Sequence, residues 1–212
     1  MRIAFFSAAL IASSASFAAT PVQGWYASVF GGYSYLPENV DLFRYGVNRN
    51  NSAYDSGYHA GVRVGFQSNP LRYEAEYTYI NANLKKFTID NVYQLGVNGS
   101  NTANLGMANV YYDFPDMVPA ISPFLGIGLG YGWVQGVLNS QGPNGLTRYT
   151  GESSVFAYQA TGGFTYNFRE NFAVNIAYRY VGTDRVGELG KFFQGHLGSV
   201  GVVYRFNQAS YK

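Results

Sequence analysis

Tyr58-His59-Ala60-Gly61-Val62-Arg63-Val64-Gly65-Phe66-Gln67 changes chemistry at every step. Tyr58, Ala60, Val62, Val64 and Phe66 share one parity, while His59, Gly61, Arg63, Gly65 and Gln67 share the other. Side chains along a strand point to opposite faces in turn, so this period of two predicts a strand with one apolar and one polar face. The pattern resumes after Ser68-Asn69-Pro70, setting Leu71, Tyr73, Ala75, Tyr77 and Tyr79 against Arg72, Glu74, Glu76 and Thr78. Six further segments read the same way, at 24–35, 103–114, 123–138, 154–168, 172–180 and 194–206. The prediction is an all-β chain folded as an antiparallel up-and-down barrel of about eight strands.

The connections alternate as strictly as the side chains. Ser68-Asn69-Pro70, the stretch 115–122 and Arg169-Glu170-Asn171 are short, whereas 36–55, 82–101, 139–152 and 181–193 are long. Membrane barrels have short periplasmic turns and long external loops, and a tilted strand of about 9 to 11 residues crosses a bilayer. Both termini are therefore expected in the periplasm.

Composition agrees. Charged residues are 12% of the chain, where soluble domains carry about 25% to stay hydrated. Tyrosine (20), phenylalanine (16) and glycine (26) are abundant instead. A net charge of +2 with few lysines leaves no basic footprint, so no nucleic-acid partner is expected. The absence of cysteine excludes disulfides, thiol catalysis and thiolate metal sites.

Alternation alone does not separate a membrane barrel from a soluble lipocalin, which is the same design turned inside out. Three features decide. The strand charges Arg63, Arg72, Glu74, Glu76, Asp113, Arg179 and Arg205 all fall on the polar parity, as expected if the other face meets lipid. Gly126, Gly128, Gly130 and Gly132 share a parity opposite Leu125, Ile127, Leu129, Tyr131 and Trp133. Small residues suit the inside of a narrow barrel, where they leave room for long Arg and Glu chains from across the lumen. Aromatic residues on the apolar parity gather towards strand ends (Tyr58 with Phe66, Tyr73 with Tyr79, Phe172 with Tyr180), where membrane barrels carry their girdles. The polar face is read as the lumen. On that reading Val62→Arg, facing lipid, harms assembly, and Gly61→Ser, facing the lumen, is much milder.

Met1-Arg2, the apolar run Ile3 to Ile11 and the small residues to Ala18 form a signal peptide, predicted at 1–18, with one barrel domain at 19–212. At the other end, Ser199, Gly201, Tyr204 and Phe206 occupy the polar, glycine, aromatic and aromatic positions of an outer-membrane assembly signal. Together with Tyr111-Tyr112-Asp113-Phe114-Pro115 and Ser122-Pro123-Phe124-Leu125-Gly126-Ile127-Gly128, the chain resembles the OmpA-like and opacity-protein-like surface antigens of Gram-negative bacteria. The resemblance implies an outer-membrane location, lipid and the barrel assembly machinery as partners, and adhesin-like or envelope-stabilising roles.

No catalytic, metal or cofactor site is expected. Gly126 to Gly132 has glycine at every second position, which fits lumen packing and not a phosphate loop. Lipid A deacylases, eight-stranded barrel enzymes, set His and Ser together on the outer wall. Here His196 and Ser199 differ in parity, and the sequence shows no serine or aspartate beside His59, so neither histidine has a hydrolase partner. The lumenal charges Arg63, Arg72, Glu74, Glu76, Asp113, Arg179 and Arg205 are expected to pair as a plug, with a narrow pore as the alternative. The stretch 84–97 places Leu84, Phe87, Ile89 and Tyr93 in a long connection. It reads as a hairpin extending the strands, as an apolar contact surface for host molecules, or as both.

Overall fold

The computed structural model describes residues 23–37, 43–45, 48–54, 57–89, 92–93, 95–114, 121–142, 145–186 and 191–206. Residues 1–18, expected to be a signal peptide, lie outside them. Among the described residues there are eleven strands and no helix. They are β1 (Gly24–Tyr35), β2 (Phe43–Tyr45), β3 (Asn48–Tyr54), β4 (Gly57–Ser68), β5 (Leu71–Ile89), β6 (Val92–Tyr93), β7 (Leu95–Asp113), β8 (Ile121–Gly142), β9 (Gly145–Asn167), β10 (Phe172–Val186) and β11 (Lys191–Arg205).

Eight of them form the wall of a closed antiparallel barrel, in the order β1, β4, β5, β7, β8, β9, β10, β11, and β11 pairs back onto β1. Closure removes every sheet edge within the barrel, so no unpaired backbone faces lipid. The pairing fixes the shape. A walk round the wall from Trp25 through Phe66, Tyr73, Val110, Ile127, Ala160, Tyr180 and His196 returns to β1 at Tyr35, ten residues above its start. This stagger tilts the strands by roughly 35–45° and leaves an interior just wide enough for side chains.

The outer face is the apolar parity. Val29, Val62, Leu125, Leu129, Ile176 and Val200 point outwards, and Ile127 is 70% exposed. Aromatic pairs bound this belt. Trp25–Phe66 (5.6 Å between centroids), Tyr112–Phe114 (5.0 Å) and Phe172–Tyr204 (4.9 Å) ring the end that holds the first and last strand residues. Tyr58–Tyr79 (6.3 Å), Tyr131–Phe156 (6.1 Å) and Tyr158–Tyr180 (6.4 Å) ring the other. Aliphatic side chains between two amphipathic girdles match a bilayer's dry core and wet boundaries.

Among the described residues the long connections carry more strand than expected, except at 84–97, where the hairpin reading already extends the strands. They are mostly strand. β5 and β7 pair as far as Asn83↔Ser100, β7 and β8 as far as Leu95↔Gln141, and β8 and β9 as far as Gly142↔Gly145. β3 continues the line of β4 along β5, from Tyr54↔Leu84 to Asn50↔Ile89, and β2 adds to β3. Backbone groups that leave the membrane still gain by pairing with each other, so the ladder continues until a turn ends it.

Candidate functional site

The lumen holds two layers of opposite chemistry. Towards the end with the short turns it is ionic. Arg63 Nε lies 3.7 Å from Glu74 and 3.6 Å from Glu76, Arg72 lies 3.1 Å from Glu74 and 3.3 Å from Asp113, and Arg179 is in direct ionic contact with Glu76. Neutral partners complete the carboxylates: Tyr26 donates to Glu74, and Thr78 (2.8 Å) and Asn109 (3.4 Å) donate to Glu76. Arg205 instead donates to Gln67 (3.3 Å) and Asn167 (2.8 Å). Aromatic faces carry the guanidinium groups as well. Phe30 has Arg63 at 4.1 Å and Arg179 at 4.7 Å from its ring, and Arg72 stands over Tyr111 (4.6 Å) and Phe124 (4.8 Å). Charges out of water persist when paired and hydrogen-bonded in this way.

The register explains how residues far apart in sequence meet. Arg63↔Glu76 and Gly65↔Glu74 are cross-strand neighbours of β4 and β5, and Arg179 reaches Glu76 across the lumen. The glycines make the space, but for different occupants than expected. A Cβ at Gly126 would strike Tyr111, at Gly128 Asn109, at Gly132 Leu105 (2.8 Å), and at Gly61 the Phe30 ring and the Tyr77 carbonyl oxygen. Gly61 therefore has no room for serine, and the mild outcome expected there is corrected. Neighbouring aromatic and amide side chains fill the glycine notches, and the ionic groups stack on them.

His59 also departs from the sequence reading. It is 2% exposed, and two serines bracket it: Nε2 is 2.8 Å from Ser199 Oγ and Nδ1 is 3.2 Å from Ser34 Oγ. The ladders Gly32↔His59 and Gly32↔Ser199 bring β4 and β11 to either side of β1, a closure that parity along one strand does not reveal. His196 is on the outer wall in the second girdle, 2.6 Å from the Tyr178 hydroxyl, away from Ser199 as expected.

Above His59 the lumen turns apolar. Leu36, Ile80, Leu105, Val134, Val181 and Leu197 belong to one buried cluster, with small alanines between them. The expectation of a uniformly polar interior is corrected. At this level the inward residues of β5, β7, β8, β9, β10 and β11 are largely apolar like the outward ones, because this stretch is sealed from water on both sides. Two of the glycines on β8, Gly130 and Gly132, fall here, against Met107 and Leu105.

Beyond the second girdle the wall is uneven. Four of its strands, β5, β7, β8 and β9, continue as one sheet with β3 and β2, whereas β10 and β11 close at Val186↔Lys191. Leu84, Phe87 and Ile89 lie in the extension of β5, and Tyr93 lies in β6, paired with Thr88. They sit in a sheet and not in loops.

The profile of the family described as "Outer membrane protein beta-barrel domain" matches residues 4–206. This chain belongs to that family. Comparison with the curated proteins finds no match. Among solved structures, this outer-membrane barrel is similar to neisserial surface protein A, at 17% identity over 86% of this chain and 97% of that one (TM-score 0.55). It is also similar to OprG of Pseudomonas aeruginosa, at 12% identity over 88% and 98% (TM-score 0.51). A major outer membrane protein of Thermus thermophilus matches at 14% identity over 86% and 99% (TM-score 0.50). At such identities the likeness is one of fold.

In this family member, the residues read as an assembly signal divide between the two faces. Ser199 and Gly201 face the lumen, and a Cβ on Gly201 would come within 2.5 Å of Asn175 Oδ1 and 3.0 Å of Phe30. Tyr204 and Phe206 face outwards and meet edge to face at 5.3 Å in the first girdle.

Proposed function

We propose that this barrel is a non-enzymatic surface protein. It anchors a protruding sheet outside the cell, keeps both termini in the periplasm and conducts no ions. The observation that carries this reading is the pairing of a lumen filled by two layers with a wall whose strands continue far past the girdle. Ions need a wet path, and an apolar layer above paired charges offers none. A sheet held by a rigid barrel, in contrast, presents side chains to partners without further ordering. The fold it shares with neisserial surface protein A is in keeping with this. His59 with its serines is buried, which supports a structural role for that contact.

In the same reading the girdled belt contacts outer-membrane lipid, Ser199, Gly201, Tyr204 and Phe206 engage the assembly machinery, and the stretch carrying Leu84, Phe87, Ile89 and Tyr93 meets host molecules. Replacing residues 86–97 by a short turn leaves assembly of the girdled barrel intact, since the strand pairs it removes lie beyond the second girdle, and reduces attachment of cells to host surfaces. The refolded barrel gives no conductance steps in planar bilayers. Unchanged attachment together with discrete conductance would favour the pore.

A further inference from the structure

We infer that the outer wall at β11 binds a phosphorylated lipid of the outer leaflet, with an acyl chain in a groove over Gly198 and the phosphate on His196. The site rests on the outward orientation proposed above and makes the lipid contact of that reading specific. On the outward face Gly198 lies level with Tyr33 of β1 on one side and Tyr178 of β10 on the other. Strands about 4.8 Å apart set those two tyrosines about 9.6 Å from each other. Other outward glycines are covered. A Cβ at Gly182 would strike the Tyr158 ring, and one at Gly162 would come within 2.9 Å of Leu125. Over Gly198 nothing lies within 4 Å. Tyr33, Tyr178 and Val200, the next outward residue down β11, are all exposed.

The width of the groove suits hydrocarbon. A chain packs about 4 Å from carbon on either side, about 8 Å in all, which the span between the two tyrosines accommodates. His196 closes the upper end, its ring 6.1 Å from that of Tyr35, 6.0 Å from Tyr178 and 5.4 Å from Tyr180. With the Tyr178 hydroxyl donating to Nδ1 at 2.6 Å, the ring proton stands on Nε2. Nε2 meets no acceptor among the described residues and is left to donate outside the protein. Among the described residues of the belt and its girdles, His196 is the one outward side chain with a basic nitrogen. The second girdle lies where hydrocarbon gives way to headgroups. A ligand that meets both halves of the site joins an acyl chain to an anion at that depth, and the anionic component of a bilayer is its phosphorylated lipid. A charged acceptor also makes the stronger hydrogen bond to such a donor.

A second groove on the opposite side of the barrel isolates what the imidazole adds. Gly106 of β7 lies level with Tyr77 and Tyr131, and a Cβ there also meets nothing within 4 Å. Asn104 stands above it where His196 stands above Gly198, and accepts from the Tyr77 hydroxyl at 2.7 Å. The two grooves share a shape: an open glycine between tyrosines, beneath a polar side chain tied to one of them. Only the groove on β11 ends in a basic group, so a phosphate selects it over the other.

The test uses the whole barrel in an uncharged detergent, lipid A and its dephosphorylated form as probes, and native mass spectrometry to titrate the lipid retained. The parent holds lipid A at least tenfold more tightly than the dephosphorylated form. His196→Ala and Gly198→Leu, shown to be folded by the mobility of the unboiled barrel, each weaken lipid A at least tenfold, and His196→Ala also erases the preference for phosphate. Gly106→Leu leaves the affinity within about twofold. Equal binding of the two lipids, indifference to either β11 variant, or an equal loss at Gly106→Leu overturns the inference. In intact cells a photoreactive benzophenone side chain in place of Tyr33 captures the outer-leaflet lipid. Capture of an inner-leaflet phosphoglyceride instead supports the groove and overturns the outward orientation alone.

Discussion

Glu76→Gln removes one carboxylate from the centre of the lumen while keeping its shape. Arg179, 0% exposed, loses its only carboxylate contact in the described structure and keeps an amide oxygen, that of Gln159 at 3.1 Å. Arg63 keeps Glu74 at 3.7 Å. The lumen then holds Arg63, Arg72, Arg179 and Arg205 against Glu74 and Asp113 alone. Breaking a buried pair from one side costs about 3 to 5 kcal/mol, because the remaining charge stays out of water. The new amide oxygen still accepts from Arg179, which places the expected loss near the lower end, about 3 kcal/mol. Removing both charges is different. Glu76→Leu with Arg179→Met extends the apolar layer downwards by one level, and an apolar replacement of a buried pair is often neutral. The double variant should lie within about 1 kcal/mol of the parent. Urea unfolding of the barrel in lipid vesicles, followed by far-UV dichroism and by gel mobility, measures both. A single-variant loss below about 1 kcal/mol, or a double variant worse than the single, would refute the argument that pairing sustains the charged layer.

Four further outcomes follow from the faces and from closure. Val62→Arg puts a charge on the outward belt and should lower stability by about 2 to 4 kcal/mol if it sits near mid-membrane, read by folding yield in vesicles. Gly61→Ser should cost about 1 to 3 kcal/mol, since Phe30 and the Tyr77 carbonyl occupy the space. Gly198→Ser, where nothing lies within 4 Å of a Cβ, should change little. Equal effects at the two glycines would show that packing does not set the preference. The unboiled barrel should migrate differently from the boiled one in detergent gels, because closed backbone pairing resists detergent, and identical mobility would count against closure.

Much of the barrel is legible in the chain. Period-two alternation identifies strands wherever one face is polar and the other apolar, as from Tyr58 to Gln67. The charges on one parity and the glycines of β8 then separate inside from outside. These are local signals, and each needs only the two-residue period of a strand. The ionic residues are legible too, but not their partners. Arg179 and Glu76 are 103 positions apart, and only barrel closure with its stagger of ten residues puts them together. The same closure sets His59 against Ser199 through β1, which the order of residues does not announce. Where alternation fades, as around Ile80, Leu105, Val134 and Leu197, sequence has no contrast from which to read a face, and the apolar upper lumen emerges only once the wall is closed. Apart from 84–97, the long connections read as loops for a related reason. Their polar residues resemble loop composition, whereas backbone pairing with a neighbouring strand keeps them extended, and that pairing is a property of the assembled sheet. Periodicity is written in neighbours along the chain, while register, stagger and the filling of a common interior depend on strands that meet only in three dimensions.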